Sequence, residues 1–142
     1  MFLGQYRHTL DEKGRLTIPA RFREELSGGA YLTQGFEKNL RLLTEPAFER
    51  ISEKLNDMKT TDPMARELRR LIFATASQVD LDSVGRILIP QFLRDVSNLD
   101  GEAVIVGVGE GVEIWSPGVW EGQVTQLSDV DANSERFSDL DL

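Results

Sequence analysis

The sequence predicts an α+β fold, mainly short strands with short helices, built by duplicating one module so that a pseudo-twofold axis runs through a single chain. Three observations carry that expectation. The first is a repeat without gaps: Leu10-Asp11-Glu12-Lys13-Gly14-Arg15-Leu16-Thr17-Ile18-Pro19 returns as Leu81-Asp82-Ser83-Val84-Gly85-Arg86-Ile87-Leu88-Ile89-Pro90, with an offset of 71 for the Asp, Gly, Arg and Pro alike. The second is period-two alternation of apolar residues in short runs bounded by Gly, Pro and Asp, which is how half-buried strands read. The third is composition. With 142 residues, 40% hydrophobic and 28% charged, the chain has the content of one soluble domain or two fused half-domains, and fibrous and membrane classes are excluded. Its longest apolar runs, Ala103 to Val108 and Ile87 to Ile89, fall far short of the ~20 residues that span a bilayer. No basic-plus-apolar leader is present at the N-terminus, so a cytoplasmic location is expected.

Taken in order, the residues justify each element. Tyr6 to Leu10 alternates as a strand, the Asp11–Gly14 turn reverses it, and Leu16-Thr17-Ile18 returns as a hairpin. Pro19 stops that strand and, with φ pre-set, opens a short helix through Leu26 with Phe22 and Leu26 on one face. Ser27-Gly28-Gly29 ends the helix. Tyr31-Leu32-Thr33 and Leu40-Arg41-Leu42-Leu43 read as strands around a loop from Gly35 to Asn39. Thr44 caps the next helix, which holds Glu45 and Pro46 in its first turn and the stripe Phe48, Ile51, Leu55, Met58. After the linker Lys59 to Asp62, Asp62-Pro63 gives an N-cap and an N1 proline for a helix to about Ala76. Met64, Leu68, Leu71, Ile72 and Thr75 line one side of it. Arg66, Arg69 and Arg70 cluster on the other, as a solvated face or subunit contact before a DNA contact.

In the second copy, Gln78 to Leu81 leads into the Asp82–Arg86 turn, Ile87-Leu88-Ile89 returns, and Pro90 opens a helix with Leu93 and Val96 towards the core. One inserted residue then moves the offset to 72, aligning Leu32 with Val104, Gly35 with Gly107, Leu42 with Ile114, Thr44 with Ser116 and Phe48 with Trp120. Ala103 to Val106 is a buried strand, Val112 to Trp115 its partner, and Ser116-Pro117 starts a last short helix. The glycines between Gly107 and Gly111 precede an alternating strand rather than a helix, so they are hairpin glycines and not a phosphate loop. The chain therefore divides into a first copy at 5–48, linking helices at 49–75, a second copy at 76–120 and an acidic tail at 121–142, too polar to be expected to order.

Function is sought in the two turns. Asp11 and Asp82 open them, and Gly14 and Gly85 supply the left-handed backbone that closes them. Arg15 or Arg86 follows at once. Local chemistry allows two readings, an Asp–Arg pair bracing a turn or a basic finger held out by one. Asp-x-x-Gly-Arg followed by an alternating strand and Ile-Pro resembles the turn of the SpoVT-AbrB swapped-hairpin DNA-binding family. Two copies of it, Met1-Phe2-Leu3-Gly4 ahead of His8-Thr9-Leu10-Asp11, and Val106-Gly107-Val108-Gly109 followed by Glu113-Ile114-Trp115, narrow the resemblance to the MraZ family of bacterial transcriptional regulators, over residue 1 to about Trp120. The resemblance implies an AbrB-like barrel with both halves supplied by one chain, assembly into a closed ring, and nucleoid-associated repression of a division and cell-wall operon. It implies double-stranded promoter DNA and further copies of the chain as partners, with no membrane and no cofactor. Arg15 and Lys13, then Arg86 and Arg7, become the DNA-binding candidates, while Asp11, Gly14, Asp82 and Gly85 hold the turns.

A net charge of −8 opposes DNA binding, but its distribution does not. Residues 121–142 hold five of the eight excess negative charges, whereas Arg7, Lys13, Arg15, Arg21 and Arg23 outnumber Asp11, Glu12 and Glu24 at the start. A basic face on an acidic body can bind DNA when an oligomer presents it many times. Met1-Phe2-Leu3 is apolar enough to pack on a neighbouring copy. Catalysis is not expected: no nucleophile–base pair or phosphate loop can be named, His8 stands alone as a packing residue, and without cysteine no zinc site can be built. The alternative is a structural module whose turns contact protein.

Overall fold

In the computed structural model, which describes residues 1–142, the first copy supplies β1 (Gln5–Thr9), β2 (Arg15–Thr17), α1 (Ala20–Leu26), β3 (Ala30–Gln34) and β4 (Leu40–Thr44). Helices α2 (Glu45–Asp57) and α3 (Pro63–Thr75) lead to the second copy, β5 (Ser77–Val79), β6 (Arg86–Leu88), α4 (Gln91–Val96), β7 (Glu102–Gly107) and β8 (Gly111–Trp115). Two further helices follow, α5 (Pro117–Leu127) and α6 (Val130–Arg136). The predicted caps are in place: Thr44, Asp62 and Ser116 each accept a backbone N–H from the first turn of α2, α3 and α5. The inserted residue falls in the α4–β7 loop, where Asn98 takes the left-handed conformation at φ 55° that asparagine tolerates.

β3–β4 and β7–β8 are the expected hairpins within each copy, but the strands flanking the two Asp-x-x-Gly-Arg turns pair across the copies, and this corrects the local hairpins read from those turns. β1 and β2 share only the single bridge from Leu10 to Leu16, after which their arms diverge. β1 pairs antiparallel with β7 of the second copy, and β2 pairs antiparallel with β6 in a two-stranded ribbon. The six-stranded sheet has the order β1-β7-β8-β4-β3-β5, which is unchanged in kind when first-copy strands are exchanged for second-copy ones. Its pseudo-twofold axis passes between β4 and β8, where Arg41 lies opposite Glu113, and through the ribbon, where Leu16 lies opposite Ile87. Two modules are thus knitted into one body. The tandem-repeat, mixed α+β architecture is the expected one.

Alternation explains where the core sits. Leu16, Ile18, Ile87 and Ile89 point from the ribbon onto Leu32, Leu40, Leu42, Ala103, Ile105, Val112 and Ile114 of the sheet, and Phe22, Leu26 and Leu93 of α1 and α4 fill the flanks. The opposite sheet face carries smaller clusters. Val104, Val106, Trp115 and Trp120 pack beneath α5, and Tyr31 stacks on Phe48 of α2 at 4.3 Å. Phe2 belongs to the main core rather than to a neighbour, since its backbone pairs with Gly109 and its ring meets Phe22 edge-on at 5.2 Å. Only Met1 and Leu3 of that segment stay exposed.

Four side chains depart from their predicted roles. Met58, Met64 and Val96 point outwards, because Met58 lies at the C-cap of α2, Met64 in the first turn of α3 and Val96 in the last turn of α4, at the margins of the core. Arg69 is not simply solvated: its Nη1 donates to the carbonyls of Leu55 and Met58 at 2.8 and 3.0 Å, closing the C-terminal end of α2. The acidic tail also differs from its unstructured expectation. Residues up to Leu127 complete α5, and Val130–Arg136 form α6, because Asp129 caps the Ala132 N–H at 3.1 Å and Asn133 Nδ2 ties the helix back to the Leu127 carbonyl of α5 at 2.8 Å. No residue after Trp120 is buried.

Two outcomes follow from this packing. Phe2→Ala should lower the urea unfolding free energy by about 3–5 kcal/mol, the usual range for deleting a buried aromatic ring. Measured on the dissociated single copy, truncation after Leu127 should shift it by less than about 0.5 kcal/mol, because none of the residues removed is buried there.

Candidate nucleic-acid interface

Each turn is built on one aspartate. Asp11 Oδ1 accepts the backbone N–H of Lys13 at 3.0 Å and of Arg15 at 2.9 Å, while its Oδ2 accepts Arg15 Nε at 2.7 Å. Asp82 repeats the set with Val84 at 3.0 Å, Arg86 at 2.9 Å and Arg86 Nε at 2.8 Å. Reciprocal backbone bonds close both loops, from Asp11 N to Arg15 O and from Asp82 N to Arg86 O. Gly14 and Gly85 sit at φ 88° and 85°, a conformation that strains any residue with a Cβ. The local sequence thus makes a rigid loop before tertiary structure acts on it.

The swap then locks each turn to the other copy. Gly14 O accepts Ile89 N–H at 2.8 Å, and Gly85 O accepts Ile18 N–H at 2.9 Å. A side chain at Gly85 would collide with the guanidinium of Arg23, and one at Gly14 with that of Arg94. These two arginines also donate from Nε to the carbonyls of Ile18 and Ile89, at 2.9 and 3.0 Å. Arg23 therefore clamps the turn rather than adding to a mobile basic surface. The 71-residue spacing of Arg23 and Arg94 was the available signal for this paired role.

Leu16 and Ile87 face inwards, so the neighbouring ribbon positions Arg15, Thr17, Arg86 and Leu88 face outwards. Arg15 and Arg86 are brought together there with Asp11 and Asp82, as a group of four charges that sums to zero. Arg15 pairs with Asp11 alone, whereas Arg86 pairs with Asp82 and also reaches Asp11 at 3.8 Å across the pseudo-twofold axis. Both arginines remain about one-third exposed, at 36% and 31%. Lys13 is exposed at the tip of the first turn. Arg7 lies apart from the group, on β1, where it meets Glu102 at 3.4 Å. His8 is half-buried on β1 opposite Ala103.

Both turn carboxyls are held below the usual carboxylate range. For Asp11 the chief cause is the Arg15 backbone N–H, joined by the Arg15 guanidinium and the Lys13 N–H, against an opposing effect of burial. For Asp82 the Arg86 backbone N–H leads, with the Arg86 guanidinium and the Val84 N–H behind it and the same opposition from burial. Because folding lowers these pKa values, the turns stabilise the chain fully above the unfolded carboxylate's value, about 3.9, and lose that contribution as pH falls through the lower folded values. The Asp11→Asn, Asp82→Asn double variant should therefore unfold at lower urea than the parent at neutral pH, and the gap should close in acid. Urea midpoints followed across the acid range check the sign.

The family model described as "MraZ protein, putative antitoxin-like" matches twice, over residues 1–71 and 72–140, the second match starting 71 residues after the first, which is the offset of the repeated turns. The protein from Herpetosiphon aurantiacus called Transcriptional regulator MraZ is 45% identical over 129 residues, covering 91% of this chain and 90% of its own. A namesake from Thermomicrobium roseum is 45% identical over 90% of each chain. Another, from Moorella thermoacetica, is 42% identical with 100% of both chains covered. The duplicated Asp-x-x-Gly-Arg turn, the swapped ribbon and these matches along the whole chain agree: the chain belongs to the MraZ family.

Proposed function

We propose that the protein is a sequence-specific DNA-binding transcriptional regulator that represses a bacterial division and cell-wall operon, reading direct repeats through the Asp-x-x-Gly-Arg turns of a ring-shaped oligomer. Its relatives carry the name of a transcriptional regulator. The observation that carries the reading is the outward face of the β2–β6 ribbon, where two arginines on rigid turns stand side by side. An Arg fork bonds both acceptors of a guanine edge in the major groove, and a lysine neutralises phosphate. Arg15 takes the first role, Lys13 the second, with Arg7 a more distant phosphate contact. A ring presents this face once per protomer, so neighbouring copies meet successive short sites about 10 base pairs apart.

The two turns are unequal. Arg86 is engaged by two carboxylates and its turn carries Val84 where the first carries Lys13, so the second turn contributes less to binding and more to holding the halves together. A purely structural module would draw on the same carboxylate pairing, and one titration separates the two readings. On the protein's own promoter duplex, Arg15→Ala should lose about 1–3 kcal/mol per base contact, multiplied around the ring, while the oligomer mass by light scattering stays that of a closed assembly. Arg86→Ala should lose less. Lys13→Ala should weaken promoter and scrambled duplexes alike and reduce the salt slope by about 1. Equal binding of promoter and scrambled duplex by the parent protein at low salt would remove the regulator reading.

A further inference from the structure

On the sheet face away from the main core, β4, α2 and the β7–β8 turn enclose a cavity of about 390 Å³. Three cations line it, Arg41 from β4 and Arg50 and Lys54 from α2, against one carboxylate, Glu110, which lies 3.5 Å from Arg50. Neither Arg41 nor Lys54 has a carboxylate within ion-pair distance. In a chain of net charge −8, three positive charges gathered around one concavity, two of them outside any ion pair and Arg41 with only Glu113 across the strand pair, form a local positive field that favours an anionic occupant. Leu43, Ile51 and Val108 supply an apolar wall beside the charges. The occupant must therefore carry carboxylates or similar anions on an apolar body.

The chain itself contains a segment of that chemistry. Beyond α6, Phe137-Ser138-Asp139-Leu140-Asp141-Leu142 alternates acidic and apolar residues, and its Phe137, Leu140 and Leu142 are all exposed with no core to cover them. It does not reach the cavity of its own chain. Helix α5 is held by Trp120 Nε1 on Gln5 Oε1 at 2.9 Å and runs on to Gln123 beside Glu37, in the β3–β4 loop, at the opposite end of β4 from Leu43. We infer that this cavity receives the acidic C-terminal segment of a second copy, with Asp139 and Asp141 against Arg41, Arg50 and Lys54 and the leucines on the apolar wall. The contact joins protomers tail to body and is independent of the DNA-reading turns, which lie on the ribbon.

The chain has no cysteine, so the contact can be trapped by disulfide without background. One full-length population carries Val108→Cys at the cavity wall and a second carries Leu140→Cys in the tail, distinguished by a mass tag and mixed under mild oxidation. The expected product is the mixed-mass disulfide dimer, in excess over a control in which Ala20→Cys, on α1, replaces Val108→Cys. Adding Arg50→Glu and Lys54→Glu to the cavity population should reduce that product about tenfold, as should high salt, because charge complementarity seats the tail. Asp139→Lys and Asp141→Lys in the tail population should restore it against the reversed cavity. A yield no greater than the control, or one indifferent to charge reversal, overturns the proposal. So does a cavity that saturates with inorganic phosphate while giving no mixed dimer, which would make it a small-anion site.

Discussion

Two strands of three residues, β2 and β6, come from positions 71 apart in the chain and pair with each other in a ribbon of their own. Each is too short to persist alone. Together they place Leu16, Ile18, Ile87 and Ile89 over the open face of the six-stranded sheet, and each such side chain contributes roughly 1.5–3 kcal/mol when fully buried. Everything else in the fold conforms to that pairing. The antiparallel register with Leu16 opposite Ile87 sets the pseudo-twofold axis, sends β1 to the second copy's β7 and β5 to the first copy's β3, and carries the carbonyls of Gly14 and Gly85 to the opposite copy. Neither module could keep its apolar face covered without the other.

The swap also redistributes charge. Lys13 and Arg21 belong to one copy and look like neighbours in the sequence, yet the first turn packs beside α4 through Arg94, while α1, which carries Arg21, packs beside the second turn through Arg23. They therefore stand at opposite ends of the ribbon. At the positions equivalent to Lys13, Thr17 and Arg21, the second copy has Val84, Leu88 and Phe92, all exposed. Each end of the ribbon thus combines a polar or basic group from the first copy with an apolar one from the second. Duplication kept the turn aspartates, glycines and arginines that the fold needs and let the surrounding surface diverge.

Much of this was legible in the sequence because it rests on local rules. The offset of 71, the Asp and Gly of each turn, the caps at Thr44, Asp62 and Ser116, and the alternation that buries Leu32 and Ile105 all follow from residue chemistry over a few positions. What was not legible depends on which strand meets which. A turn that looks like a hairpin reads the same whether its arms pair with each other or diverge, so the swap of β1 and β2 leaves no mark in the residues of the turn and is visible only through resemblance. The clamping roles of Arg23 and Arg69 were hidden for a related reason. Their partners are backbone carbonyls and a glycine, which carry no compositional mark. Phe2 escaped because three apolar residues at a terminus say nothing about whose core they enter.

The pairing of the turn arginines bears directly on how such a face could read DNA. A free guanidinium on a flexible stem would lose rotamer freedom on binding, whereas one fixed through Nε by the carboxylate of its own turn has already lost it. The carboxylate also removes most of the field that would draw the arginine to phosphate. Arg15, Asp11, Arg86 and Asp82 together present no net charge, so the ribbon centre is suited to short-range recognition of a base edge and poorly suited to steering. Attraction must then come from groups without carboxylate partners around the centre, of which Lys13 is the nearest along the chain, and from the number of such faces in an assembly. An acidic tail of net charge −5 would oppose that attraction if it lay near the ribbon. Docking it in a cationic cavity on the far side of the sheet would remove the conflict, which gives an acidic protein a physical route to binding an anionic polymer.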